Sequence, residues 1–317
     1  MQPVVEIETV NATRLKYLVE LASLWQITLD DVIAPLDINY CEVLRHMSSL
    51  PLILLTNDDG VHSFGLHAAV AACAPLGELL VVAPITQQTA AGRSKPPHSS
   101  GRLTRVEIHV HGKVIQAFGV DASPAQAVEH ALFELAPRPV NLVVSGINYG
   151  ENVGEGLAVS GTLGAAIEGA SFGIPALAVS RQTDPAHFLN HRAELDFSVA
   201  AHFLRRWAAH VLTHGLPAGV DVLKIDVPDD ATPATPWRWT RQSRRRYFVP
   251  VPPPRANDHD PAPMGFVLRA DPTELESDSD VRAVILDRVV SITPISGDMT
   301  AGVQASQLAA WNDAGQG

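Results

Sequence analysis

Large aliphatic residues in this chain come in short unbroken runs, each closed by small or polar residues. The first run, Leu52-Ile53-Leu54-Leu55-Thr56, ends abruptly in Asn57-Asp58-Asp59-Gly60. Four aliphatics in a row predict a strand covered on both faces of a sheet. A helix is predicted from Phe64 to about Ala74, and a second strand over Glu78–Pro84 leads into a Gly/Thr/Gln-rich loop through residue 94. Strands near 105–111 and 114–118, joined across His111-Gly112-Lys113, read as a hairpin or paired excursion. Ser123 caps a helix running to about Leu135, with Pro124 at the first helical position. There follow a strand Asn141–Val144, a long polar glycine-rich loop 145–161, a helix 162–172 and a strand Ile174–Ser180. Strands separated by helices imply parallel pairing and right-handed crossovers, so the predicted fold class is α/β with a mostly parallel sheet.

The pattern changes on either side of this block. Beyond residue 181, a helix near 192–212 precedes a strand Val220–Val227, and Val289–Ile292 resembles one more strand. The stretch 229–264 is rich in proline and arginine, including Pro252-Pro253-Pro254 and Arg244-Arg245-Arg246, and reads as an extended arm or lid. Upstream, Leu15, Leu18, Val19, Ala22 and Trp25 share one helical face. Two readings stand for residues 1–46: an extension ahead of a start at Met47, or a helix docked on the sheet edge. The expected organisation is 1–46 as N-terminal extension, 47–190 as core, and 191–317 as a C-terminal part that completes the core and supplies an arm.

Composition narrows the classes. The 317 residues are 46% hydrophobic and 18% charged, ordinary for a globular protein with a sizeable core. A formal net charge of −11 argues against a general binder of nucleic-acid polymers or anionic membranes. It leaves a phosphorylated substrate open, because a bound metal reverses the field locally. Cys41 and Cys73 are far apart and support neither a disulfide framework nor a zinc site. No apolar stretch reaches bilayer-spanning length, and the N-terminus lacks the basic start and apolar core of a secretory signal. A cytoplasmic location is expected.

The chemistry-bearing residues gather at predicted strand ends. Adjacent carboxylates at Asp58 and Asp59 are costly unless a cation sits beside them, which suggests a hard divalent ion and phosphate chemistry. The segment Ser145-Gly146-Ile147-Asn148 follows a strand expected on the same sheet edge. Asn148 offers a carbonyl oxygen to a cation and an amide N–H to a phosphate. Ser160-Gly161-Thr162 opens a helix, where free backbone N–H groups attract anions. Thr89 and Gly92 lie in the loop after the second strand. No GxxxxGK[ST] occurs and no GxGxxG follows the first strand, which excludes the usual P-loop and disfavours a standard dinucleotide fold. His62 is nearest the acidic pair in sequence but reads as a surface residue, as do His109 and His111 on one strand face.

Together these segments resemble the survival protein SurE family of metal-dependent 5′/3′-nucleotidases. The resemblance rests on ILLTNDDG at 53–60, VVAP at 81–84, NLVVSGINYGENVG at 141–154 and SGTLGAAIEGASFGIPALAVS at 160–180, and covers about residues 50–300. It implies a Rossmann-like three-layer core with a C-terminal arm that builds a homodimer or homotetramer. It also implies hydrolysis of nucleoside monophosphates with one divalent cation per subunit, magnesium or manganese. By position, the metal ligands would be Asp58, Asp59, Asn148 and Thr89, with Asp58, Asp59 and Asn148 catalytic. Asn57, Gly146, Ser160, Gly161 and Thr162 would bind phosphate.

The chain departs from the family pattern around this set. The loop after VVAP lacks the usual Asp-Arg and carries Thr89 where the family has serine. GTPxDCV corresponds to Ala122-Ser123-Pro124-Ala125-Gln126-Ala127-Val128, and LNVNVP to Leu223-Lys224-Ile225-Asp226-Val227-Pro228. These changes motivate the alternative of a non-catalytic nucleotide- or phosphosugar-binding protein. A third reading is an oligomeric scaffold; separately, Arg244–Arg246 resemble the family arm and read as solvated or subunit-contacting, with phosphate steering as the alternative. Whether an aspartate acts as nucleophile or general base stays open.

Overall fold

The structure, a computed structural model, describes residues 50–110, 112–188 and 195–303. Contacts divide the chain into two units, Met1–Leu50 and Pro51–Gly317. The helix expected around Leu15–Trp25 lies outside the described residues, as does His111.

Eleven strands are described in the second unit: β1 (Leu52–Thr56), β2 (Glu78–Pro84), β3 (Leu103–Val110), β4 (Lys113–Val120), β5 (Leu142–Tyr149), β6 (Ala176–Arg181), β7 (Val222–Val227), β8 (Trp237–Trp239), β9 (Phe248–Val251), β10 (Gly265–Leu268) and β11 (Val290–Ile295). Nine of them form one sheet in the order β3-β4-β2-β1-β5-β6-β7-β11-β8. The central strands β4, β2, β1, β5, β6 and β7 are parallel, while β3 and β11 run antiparallel to β4 and β7. β9 and β10 pair separately as an antiparallel ribbon.

The uninterrupted aliphatic run of β1 is explained by helices on both faces. Ile53 and Leu55 pack into one core with Leu66 of α1 (Phe64–Cys73) and Phe203 and Leu204 of α4 (Ser198–His214). Leu52 and Leu54 pack into the other, with Val128 of α2 (Pro124–His130) and Leu163 and Ala166 of α3 (Gly161–Ala170). Alternate side chains of one strand thus serve two layers, which makes the three-layer α/β architecture. Serines start three of these helices: Ser63, Ser123 and Ser160 accept from the N–H of Leu66, Gln126 and Leu163 at 3.0–3.2 Å.

Two sequence expectations are corrected. The supposed loop 145–161 begins as strand, since β5 continues through Ser145, Gly146 and Ile147 to Tyr149, and Gly154–Val159 forms a short helical turn. Small polar residues suggest a loop, but here both faces are covered and the register with β6 shifts between Gly146 and Asn148. The second correction falls in the arm. Trp237–Trp239 joins the main sheet beside β11, because Trp237 and Trp239 pack edge-on against Trp207 with centroids 5.1 and 5.5 Å apart.

β1 lies between β2 and β5, so the chain leaves it to one side and later returns on the other. Ligands of open parallel sheets bind in the crevice at the carboxyl ends of strands around such a reversal.

Candidate active site

The carboxyl end of β1 opens into a cavity of about 570 Å³ lined by Asp58, Asp59, Thr89, Asn148 and Ser160. Phe188, Arg246, Tyr247, Phe248 and Phe266 line the same cavity.

Asn57 builds the turn that carries the acids. Its side chain donates to the Gly60 carbonyl at 3.0 Å and to Ser63 Oγ at 2.7 Å, and accepts from Gly60 N–H at 3.1 Å. Asp58 Oδ1 accepts from Thr162 Oγ1 at 2.6 Å, and the Thr162 backbone N–H also bonds to Asp58. The start of α3 therefore grips the carboxylate directly. A Cβ on Gly161 would stand 2.7 Å from Asp58 Oδ2, so only glycine lets the helix come this close. Asp59 Oδ2 accepts from Tyr149 N–H and Oδ1 from Gln87 Nε2, both at 3.1 Å.

Burial pushes the Asp58 carboxyl up to about 7, the neighbouring Asp59 charge adds to this, and the Thr162 bonds offset only part. A cation beside the pair would reverse both penalties. Among the described residues no cluster of three or more His, Cys, Asp or Glu side chains is arranged for a metal. The donor set on offer is two carboxylates with the neutral oxygens of Thr89 and Asn148, all hard ligands that fit a small divalent ion. Asn148 Nδ2 donates to the Gly150 carbonyl at 2.7 Å, which uses one amide hydrogen and orients the side chain so that its oxygen can serve a cation.

The loop bearing Thr89 is fastened at both ends. Gln88 N–H donates to the Asp58 carbonyl at 2.7 Å and Gly92 N–H to the Val159 carbonyl at 3.0 Å. Buried Glu168 of α3 accepts from Arg93 at 2.6 Å and Lys95 at 2.8 Å.

The sequence-derived residues thus separate by position. Asp58, Asp59, Thr89, Asn148 and Ser160 line one cavity; Gly161 and Thr162 stand directly behind Asp58; Asn57 and Gly146 belong to the scaffold. At Gly146 the φ of 130° and the 2.3 Å separation of a Cβ from the Val179 carbonyl require glycine for strand packing. His62 is exposed and does not line the cavity.

Sequence reading missed the aromatic wall and Gln87. Gln87 Nε2 also donates to the Phe188 carbonyl at 2.8 Å, linking that wall to Asp59. The Phe188 ring lies over Gly150, where a Cβ would meet it at 2.6 Å. Phe188 is isolated in sequence and gives no signal; Tyr247-Phe248 beside the arginine run is the one legible hint.

A doubly wound sheet with an oxygen-rich acidic cluster at its switch point defines an α/β protein that binds small ligands at the strand ends. Comparison with known proteins names the group. The family described as Survival protein SurE matches residues 53–249, and the chain belongs to that family. The 5′-nucleotidase SurE of Thermococcus gammatolerans is 44% identical over 259 residues, covering 81% of this chain and 94% of that protein. The 5′-nucleotidase SurE of Archaeoglobus fulgidus is 38% identical over 265 residues, covering 82% and 97%. The crystal structure of the SurE protein from Aquifex aeolicus aligns with a TM-score of 0.65 at 26% identity, over 84% of this chain and all of that one.

Proposed function

We propose that this chain is a divalent-metal-dependent phosphomonoesterase that hydrolyses nucleoside monophosphates to nucleoside and phosphate, as a 5′-nucleotidase with action on 3′-monophosphates as well. One observation carries the reading: a buried carboxylate pair, its Asp58 held by a helix start, in a cavity that aromatic side chains also line. The names of the relatives, 5′-nucleotidase SurE, support it.

Asp58, Asp59, Thr89 and Asn148 would hold one magnesium or manganese ion. When bound, such an ion supplies Lewis-acid stabilisation of phosphoryl charge. Ser160 would seat the phosphoryl group at the start of α3, where the helix dipole favours an anion, with Gly161 and Thr162 behind Asp58 as its support. Ser160 Oγ accepts from Leu163 N–H at 3.0 Å and keeps its own hydrogen to donate. Thr162 orients Asp58 through its hydroxyl. Phe188, Tyr247, Phe248 and Phe266 offer faces and edges for a nucleobase and keep water from the acids, which a bare phosphate site would not need. Exposed Met264, Phe266, Val267 and Leu268 on and beside the β9–β10 ribbon support assembly as a homodimer or homotetramer.

The test is phosphate release from nucleoside 5′- and 3′-monophosphates with manganese, magnesium or EDTA, for wild type and Asp58→Asn. Release that needs the metal and falls at least about a thousandfold in Asp58→Asn is expected. A folded, metal-binding wild type that releases none would favour a nucleotide-binding protein.

A further inference from the structure

Behind the cavity lies a charge cluster that no step above employs. Lys224 and Asp226 flank Ile225 on β7, so both side chains leave the sheet on one face. Both, and Asp280 from the C-terminal part, have no exposed surface. Lys224 Nζ pairs with Asp226, stands 3.3 Å from Asp280 Oδ2, and donates to the Asn152 carbonyl at 2.8 Å. Asp226 Oδ1 accepts from the Asn152 N–H at 2.8 Å, so one ion pair holds both backbone groups of Asn152. Asp280 accepts from the N–H groups of Gly154 at 3.2 Å, Ser243 at 3.0 Å and Val281 at 2.8 Å.

The groups caught by this cluster belong to two separate walls of the cavity. Glu151, Asn152, Val153, Glu155 and Gly156 line it from one stretch of chain. Ser243 lies three residues before Arg246, which with Tyr247 and Phe248 lines it from another stretch. Gln242 Nε2 donates to the Gly154 carbonyl at 3.0 Å, which places a second tie at the same seam.

We infer that Lys224 is a positioning residue: with Asp226 and Asp280 it clamps the 151–156 loop to the 243–248 segment and thereby sets substrate affinity. The sign of the charges gives the clamp its sensitivity. Loss of the ammonium alone leaves two carboxylates buried side by side without a cation, a costly arrangement. Neutralising Lys224 and Asp226 together leaves only Asp280, which keeps its three backbone donors. Asparagine at both positions also reproduces the neutral pair of the related strand pattern LNVNVP, and its amides can still serve both backbone groups of Asn152.

The kinetic part of the test rests on the hydrolase reading proposed above; hydrogen exchange does not. Lys224→Asn is expected to raise KM for a nucleoside monophosphate about tenfold with kcat within about twofold, and to speed amide exchange in 151–156 and 243–248 but not in β1. The double variant Lys224→Asn/Asp226→Asn is expected to return KM and exchange to near wild type. A folded Lys224→Asn with unchanged KM and exchange overturns the clamp, as does a double variant at least as impaired as the single. Should Lys224→Asn fail to fold, the double variant decides: wild-type exchange at both walls supports the clamp and accelerated exchange overturns it. A wild type that releases no phosphate removes the hydrolase reading and leaves the exchange comparison to judge the clamp.

Discussion

At Asp58, residue-level forces oppose one another: burial and the Asp59 charge favour the neutral acid, while two bonds from Thr162 favour the carboxylate. Burial prevails, so without metal the group titrates near neutrality instead of near its ordinary value of 3.8. A carboxyl raised in the folded state keeps its proton while the unfolded chain has already lost one. Its contribution to stability is complete below about pH 4 and is lost as pH rises through about 7. In EDTA the metal-free protein should therefore have a lower urea midpoint at about pH 8 than at about pH 5, and Asp58→Asn should flatten that difference. Added manganese should recover the midpoint of the wild type at the higher pH, because the cation answers the same unpaired charge.

At the scale of elements, glycines set how closely loops and helices meet. A Cβ on Gly164 of α3 would stand 2.3 Å from the Gly92 carbonyl oxygen, backbone against backbone, with no flexible side chain to yield. Gly164→Ala should destabilise the protein by about 2 kcal/mol and, by displacing the Thr89 loop, weaken manganese binding; denaturant melts and metal titration would show both. The strands and helices themselves were legible. Leu52–Thr56 announced a doubly covered strand, and Ser123-Pro124 announced a helix start. Ser145-Gly146 misled because small polar residues signal a loop locally, whereas their pairing with β6 is decided by neighbours far along the chain. Trp237–Trp239 misled for the same reason: proline and arginine nearby outweighed an aromatic contact with α4 that no local pattern displays.

Over the whole molecule the same divide separates the acidic side of the cavity from its aromatic side. Asp58, Asp59 and Asn148 sit in contiguous motifs at strand ends and could be read directly. Phe188 and Phe266 are single residues brought to the cavity by an irregular segment and the β9–β10 ribbon. The nucleobase contact proposed for them gives a separable expectation. Phe266→Ala should raise KM for adenosine monophosphate about tenfold while leaving hydrolysis of ribose 5-phosphate, which has no base, within about twofold. Parallel kinetics on the two esters would reveal it, and an equal loss on both would instead make Phe266 part of the fold.

The cavity also has a chronology. The residues proposed above as metal donors, Asp58 to Asn148, precede in the chain the wall from Arg246 to Phe266 and the Asp280 anchor. On the ribosome, β1 and its acids emerge while strand β11, which intervenes between β7 and β8 in the finished sheet, has yet to be made. Completion of the site therefore depends on long-range pairing, the slow kind. A message truncated after β7 would encode Asp58, Asp59, Thr89, Asn148 and Phe188 but not Tyr247, Phe248 or Phe266.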